Sequence, residues 1–203
     1  MSFKKNKYLV LRNVLSKELS SFVYKYFLNK RSVAKVLFES KFISPFTEYW
    51  GIWHDEQIPN TYSHYSDIAM ETLLRELKPI MEKQTKLKLI ETYSYARIYK
   101  KGDLLARHKD RYSCEVSTTL NLGGDPWPLY LDPTGQIGRE GIEVNLKPGD
   151  MLIYSGCELE HWREEFKGES CGQVFLHYNK LSSKKANKFD NRPMLGLPAY
   201  FKK

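Results

Sequence analysis

The sequence predicts an α+β fold in which helices come first and buttress a β-barrel or sandwich built from many short strands. Two observations carry this. The first 90 residues hold two apolar patterns of helical period, one opened by Ser16 and one by Asp67. From Ile90 the apolar period changes to two. It stays there, with turns such as Lys101, Gly102, Asp103 and Lys147, Pro148, Gly149, Asp150 at short intervals. Helices followed by strands, with no internal repeat, is the order of a helix-covered sheet sandwich rather than of alternating βαβ units.

Each element follows from its residues. Residues 8–14, with Tyr8, Val10 and Leu11, read as a first strand. Ser16 caps a helix running to about Lys30, with Leu19, Val23, Tyr26 and Phe27 on one stripe. Residues 41–66 are irregular and aromatic, with Phe42, Phe46, Tyr49, Trp50, Trp53, Tyr62 and Tyr65 around Pro45 and Pro59. They read equally as a loop packed on the core and as a lid over a site. A second helix starts at Asp67 and carries Ile68, Leu73, Leu74, Leu77 and Ile80, with Pro79 expected to kink or restart it. Tyr93, Tyr95, Arg97 and Tyr99 then share one face of a strand. Further strands are expected at 114–122, 127–132, 142–146, 151–154, from His161, and at 174–178, with a glycine-rich loop over 135–141. The tail from Leu181 is rich in Lys, Asn and Ser and reads as extended or mobile.

The 203 residues are read as one domain, 1–203. Within it, 1–90 supplies the first strand and the helices, 91–180 the barrel core and 181–203 a basic tail. That length suffices for a sizeable core. Hydrophobic content of 41% and charged content of 28% are those of a soluble globular chain, and an aromatic content of 14% suggests a lined pocket. No apolar run approaches the roughly 18 residues of a membrane span, and no signal-peptide core follows Met1. Cys114, Cys157 and Cys171 are too far apart for a disulfide framework or a cysteine-rich zinc site, so a reducing, cytoplasmic setting is expected. The net charge of +8 gathers near the ends, at Lys4, Lys5, Lys7, Lys184, Lys185, Lys188, Lys202 and Lys203. Solvated tails explain it better than an anionic partner.

The chemistry centres on His108 and Asp110, with His161 53 residues later. A His and an Asp two apart at a strand end point to one side, and a His from a neighbouring strand end completes a three-ligand face. Two imidazoles and one carboxylate on one face is the ligand set of non-haem Fe(II) oxygenases, with the opposite face open. His177, between Phe175 and Tyr178, reads as a satisfied pocket histidine rather than a fourth ligand, and His54 and His64 carry no role.

Residues 95–179 resemble the catalytic core of the 2-oxoglutarate- and Fe(II)-dependent oxygenases, in the prolyl 4-hydroxylase-like branch. The resemblance is carried by Tyr95, Arg97, Tyr99 and Gly102, by His108 and Asp110, by Lys147 through Tyr154, and by His161. It implies a double-stranded β-helix, a jelly-roll or cupin-like barrel. It also implies Fe(II) on His108, Asp110 and His161, and 2-oxoglutarate and O2 as co-substrates. Ascorbate is an admitted additional reductant, and succinate and CO2 are the co-products. Tyr99 matches a position that bonds the 2-oxoglutarate tail, and Asn121 another polar pocket position. The chain departs from the branch after the distal His. The basic residue that should pair with the far carboxylate of 2-oxoglutarate is absent from Ser170, Cys171, Gly172 and Gln173. By strand parity Arg163 takes that role, with Arg97 as rival and Gln173 as a neutral donor.

The resemblance ranks substrates as a prolyl residue of a peptide or protein, then a free amino acid or small metabolite, then alkylated nucleic acid. A non-catalytic cupin-like metal-binding protein and a pseudo-oxygenase stand as the other readings. No membrane partner is expected, and the oligomeric state is left open.

Overall fold

The computed structural model describes residues 2–134, 136 and 138–203, so Gly135 and Ile137 of the expected glycine-rich loop lie outside the described residues. Helix α1 (Phe3–Asn6) leads into β1 (Tyr8–Leu11) and the long α2 (Lys17–Glu39). An irregular segment ends in β2 (Tyr62–Tyr65), and α3 (Ile68–Thr85) follows. The remaining strands are β3 (Leu89–Lys100), β4 (Leu105–His108), β5 (Val116–Gly124), β6 (Leu129–Asp132), β7 (Ile142–Val144), β8 (Met151–Tyr154), β9 (Glu160–Arg163) and β10 (Ser170–Lys180). They form two antiparallel sheets, ordered β1-β8-β5-β10-β3-β2 and β4-β9-β6-β7.

Period-two alternation explains how the larger sheet is covered on both sides. Val116, Leu120 and Leu122 of β5 and Val174, Leu176 and Tyr178 of β10 join Phe27 of α2 and Leu74 of α3 in the outer core. Each such side chain stabilises the fold by roughly 1.5–3 kcal/mol through burial. The alternate residues, Ser117, Thr119 and Asn121 on β5 and Gln173, Phe175 and His177 on β10, face the smaller sheet and form the barrel interior. A second core, with Tyr8, Leu152 and Tyr154 against Leu129, Leu131 and Val144, closes one side of the sandwich.

Several boundaries differ from the sequence expectation, for identifiable reasons. Helix α2 is capped by Ser16, whose Oγ accepts from Leu19 N at 3.2 Å, but it runs to Glu39 rather than Lys30. The polar Lys30, Arg31, Ser32 run does not end it. Lys30 reaches along the helix surface to pair with Asp67 at 2.5 Å, and Ala34 beyond it is buried. Helix α3, capped by Asp67, continues through Pro79 as one element, because Pro79 and the Arg75 whose carbonyl it frees both face solvent. Strand β6 starts at Leu129, not 127, since Pro126 and Pro128 cannot donate to a ladder. Strand β10 spans Ser170–Lys180 rather than 174–178, because it is central and pairs along its length with both β3 and β5.

The tail corrects the expectation of a mobile end. Arg192, 3% exposed, pairs with Glu71 of α3 at 2.7 Å, and Leu195 joins the outer core. Phe189, Asp190 and Asn191 adopt left-handed φ of 55°, 54° and 64°, which costs backbone energy. The turn they make delivers the buried Asp190 to Arg111 and Ser113, just after the Asp110 position. Among the described residues no helix is long and apolar enough to cross a membrane.

Candidate metal centre and its cavity

His108 ends β4 and His161 lies in β9, and the two strands pair with these residues opposite one another. Asp110 follows two residues on, its N–H donating to Gly156 O at 2.9 Å. The three side chains meet: Asp110 Oδ1 is 3.8 Å from His108 Nε2 and 3.5 Å from His161 Nε2. The backbone carbonyls of Ala106 and Leu159 lie 2.7 and 3.2 Å from the Nδ1 atoms of His108 and His161. A carbonyl only accepts, so each ring carries its proton on Nδ1 and turns its Nε2 lone pair toward Asp110 Oδ1. This is the donor set a divalent ion of borderline hardness takes.

Two residues that sequence reasoning missed orient the carboxylate. Ser117 Oγ donates to Asp110 Oδ2 at 3.0 Å, leaving Oδ1 for the metal side. A Cβ on Gly156 would lie 2.3 Å from Asp110 Oδ2, so only glycine leaves room for the carboxylate there. Ser117 alternates with Thr119 and Asn121, so strand parity from Asn121 was a usable signal for it. His177 is 2.9 Å from Ser117 Oγ through Nδ1, and burial pushes it down to about 4, so it is a neutral, bonded histidine as expected. It also groups with Asp110 and Cys114 in a second cluster of ligand-type atoms. His64 lies away from the site, bonding Asp67 and the Glu48 carbonyl.

The metal face opens into a cavity of about 320 Å³, whose walls include Tyr93, Tyr95, Arg97, Tyr99, Thr119 and Phe175. Tyr93, Tyr95, Arg97 and Tyr99 therefore share one face, as their alternation requires. A second cavity, of about 460 Å³, shares Asp55, Tyr93, Tyr95 and Arg111 with the first and continues outward past Tyr65 and Lys202. The aromatic segment 41–66 divides between its two readings. Trp50 and Trp53 pack against the outer core, whereas Asp55 and Gln57 line the cavity at the metal.

Arg163, Asn121 and Gln173 lie in the layer behind that lining. Arg163, 1% exposed, donates through Nη1 to Trp127 O and sits 4.9 Å over the Trp127 ring. Among the described residues no carboxylate pairs with it, and its Nε has no partner. Burial pushes its pKa below the ordinary arginine value. The Tyr99 hydroxyl, Thr119 Oγ1, Asn121 Oδ1 and Gln173 Oε1 are likewise buried without partners. Asn121 Nδ2 donates to Leu146 O at 2.7 Å and Gln173 Nε2 to Cys171 Sγ at 3.1 Å. Arg97 differs in having a carboxylate beside it: its Nη2 lies 2.9 Å from Asp55 Oδ1 and Nη1 donates to Gln57 Oε1 at 3.1 Å, while its Nε and Nη2, like Arg163 Nε, make no hydrogen bond among the described residues.

No family model and no curated protein matches the sequence. Solved structures do match the fold. One is a Pseudomonas putida prolyl-4-hydroxylase, at 15% identity over 88% of this chain and 95% of that one, with a TM-score of 0.60. Another is a Trichoplax adhaerens prolyl hydroxylase in complex with a hypoxia inducible factor peptide fragment, at 16% identity over 90% of each chain and a TM-score of 0.60. HygX from Streptomyces hygroscopicus, with nickel, 2-oxoglutarate and hygromycin B bound, is similar at 12% identity over 89% of this chain and 85% of that one, with a TM-score of 0.61. The chain thus has the double-stranded β-helix fold found in 2-oxoglutarate- and Fe(II)-dependent oxygenases, and its two-histidine, one-carboxylate face lies on paired strand ends of that fold.

Proposed function

We propose that the chain is a 2-oxoglutarate- and Fe(II)-dependent dioxygenase that hydroxylates an unactivated C–H bond, with a prolyl residue of a peptide or protein as substrate. One observation carries the reading. A fully oriented His108, Asp110, His161 set stands over a buried Arg163 that has no anion among the described residues, with unpartnered Tyr99 and Thr119 hydroxyls on the cavity wall. Iron, O2 and 2-oxoglutarate together supply the oxidising chemistry, and succinate and CO2 leave as co-products.

The chain's own residues hold and orient these groups. His108, His161 and Asp110 bind the metal, with Ser117 and Gly156 fixing the carboxylate. Arg163, with the Tyr99 and Thr119 hydroxyls, receives the far carboxylate of 2-oxoglutarate, and Asn121 and Gln173 complete that polar layer. Leu105, Trp127 and Phe166 keep it dry. The outer cavity, walled by Tyr65, Tyr93 and Tyr95, admits the substrate. Likeness to two prolyl hydroxylases, one of them bound to a peptide, supports the peptide assignment. The three unpaired cysteines support a reducing cytoplasmic setting.

Anaerobic loading with Fe(II) and 2-oxoglutarate, followed by air and candidate proline peptides, tests this. Succinate should form together with a peptide that gains one oxygen by mass spectrometry, and Asp110→Ala should bind no iron and make no succinate. Coupled turnover with free amino acids or nucleic-acid lesions alone refutes the peptide assignment. Full activity and stoichiometric iron in Asp110→Ala refutes the metal assignment.

A further inference from the structure

The irregular segment between α2 and β2 touches the metal face through one side chain. Gln57 Nε2 lies 3.2 Å from His108 Nε2, and Gln57 Oε1 accepts from Arg97 Nη1 at 3.1 Å. Neither contact can be reversed. A guanidinium only donates, so the amide oxygen must face Arg97 and the NH2 must face His108. The Ala106 carbonyl holds the His108 proton on Nδ1, so Nε2 can only accept.

The loop around Gln57 is itself tied down. Asp55 Oδ1 accepts from Gln57 N at 2.9 Å and Ile58 N at 3.3 Å, and also contacts Arg97 Nη2. The Tyr95 hydroxyl donates to the other Asp55 oxygen. Ile58 is buried in the apolar cluster with Tyr99 and Leu105. Residues 55–58 therefore approach His108 from two fixed points, Arg97 and Tyr95.

An imidazole nitrogen has one lone pair. The Gln57 amide and a metal ion on His108 claim the same one. We infer that Gln57 is a positioning residue that couples the 55–58 loop to metal occupancy: an ion on His108 Nε2 excludes the Gln57 hydrogen bond and frees the loop from the metal face, while Arg97 keeps it tethered. The coupling is reciprocal, since whatever draws the loop away tightens the metal by the same factor. Asp55 lines both cavities, so the loop's release alters the passage between them. This inference rests on the metal-binding reading of His108, Asp110 and His161.

Titration with Mn(II), followed by electron paramagnetic resonance of the free ion, on the wild type, Gln57→Leu and His108→Ala tests both levels separately. Gln57→Leu should bind Mn(II) about five- to tenfold more tightly, the effect of removing one competing neutral hydrogen bond. In the wild type, Mn(II) should also speed hydrogen exchange of the Gln57 and Ile58 amides, an effect lost in Gln57→Leu. Equal or weaker Mn(II) binding in Gln57→Leu, with binding abolished in His108→Ala, overturns the coupling alone. Undiminished binding in His108→Ala overturns the metal assignment beneath it. If Gln57→Leu does not fold, the wild-type exchange decides, and Mn(II)-independent exchange at both amides overturns the coupling.

Discussion

The two ends of the barrel interior are built on opposite terms. At the mouth, charges are answered by the protein itself: Arg97 by Asp55 and Gln57, and Asp110 by Ser117. In the layer behind, Arg163 has aromatic and carbonyl neighbours but, among the described residues, no anion; Asn121 Oδ1 and Gln173 Oε1 there, and the Tyr99 and Thr119 hydroxyls on the cavity wall, have no partner. Desolvated polar groups without partners are expensive, and a desolvated charge more so. The donors among them, the Arg163 guanidinium and the Tyr99 and Thr119 hydroxyls, are complementary to something that brings its own negative charge and acceptors. In the proposed function the mouth holds a small cation in fixed geometry, and the deep layer receives an anion.

The sharpest way to break this comparison is to remove each arginine in turn. Arg163→Met should raise the 2-oxoglutarate requirement by about two orders of magnitude, as expected for the roughly 2–3 kcal/mol of a charge-assisted pair. Arg97→Met should change it far less, because Arg97 already has its carboxylate. Metal affinity should be unaffected in Arg163→Met. Isothermal titration of the Mn(II)-loaded protein with 2-oxoglutarate separates the two. A normal 2-oxoglutarate affinity in Arg163→Met with a large defect in Arg97→Met would reverse the assignment of the two ends.

A smaller effect sharpens the mouth. Ser117→Ala removes the donor that holds Asp110 Oδ2 and turns Oδ1 to the metal side. Partners of metal ligands are typically worth about 10–100-fold in affinity, and the lower end is expected, since Gly156 still confines the carboxylate. Ser117→Thr should restore most of it. Mn(II) titration reads the change, and unaltered affinity in Ser117→Ala would show that the backbone alone orients Asp110.

How much of this was legible in the sequence follows from how local each signal is. His108, Asp110 and His161 could be read because two turns and two strand ends announce them. The inward, buried place of Arg163 followed from parity with His161, which holds because β9 runs to Arg163 as a strand. Ser117 and Gly156 were not read, because their roles depend on where Asp110 Oδ2 falls in space. Gln57 could not be read at all: it sits in an irregular segment, 51 residues from the histidine it touches. Helix α2 outran its expected end because Lys30 finds a partner on another element, Asp67. The tail looked solvated because its lysines dominate the composition, while its few contact residues, Asp190, Arg192 and Leu195, decide its position.

The smallest expected effect concerns that tail, which extends the self-answered mouth outward. Asp190 is 1% exposed and accepts from Arg111, Ser113 and Tyr65, with Lys202 at 2.7 Å. Burial pushes its carboxyl up, but the Arg111 and Lys202 bonds outweigh that and hold it well below the usual carboxylate range. Asp67, which bonds Lys30 and His64, is lowered in the same direction. A carboxylate depressed on folding contributes stability that is present above its unfolded pKa, about 3.9, and is lost as pH falls through the folded value. Stability should therefore be flat across neutral pH as far as these groups are concerned and fall below about pH 4. Asp190→Asn should lower stability at pH 7 and flatten the acid slope, with about 2–4 °C of melting temperature for each kcal/mol lost in a domain of this size. Because Arg111 lines both cavities, the variant should also loosen the outer passage while leaving Mn(II) affinity intact. Thermal melts of wild type and Asp190→Asn between pH 3 and pH 7 decide it. Parallel pH profiles would mean that Asp190 titrates alike in the folded and unfolded chain, and that the tail is held by Arg192 and Glu71 instead.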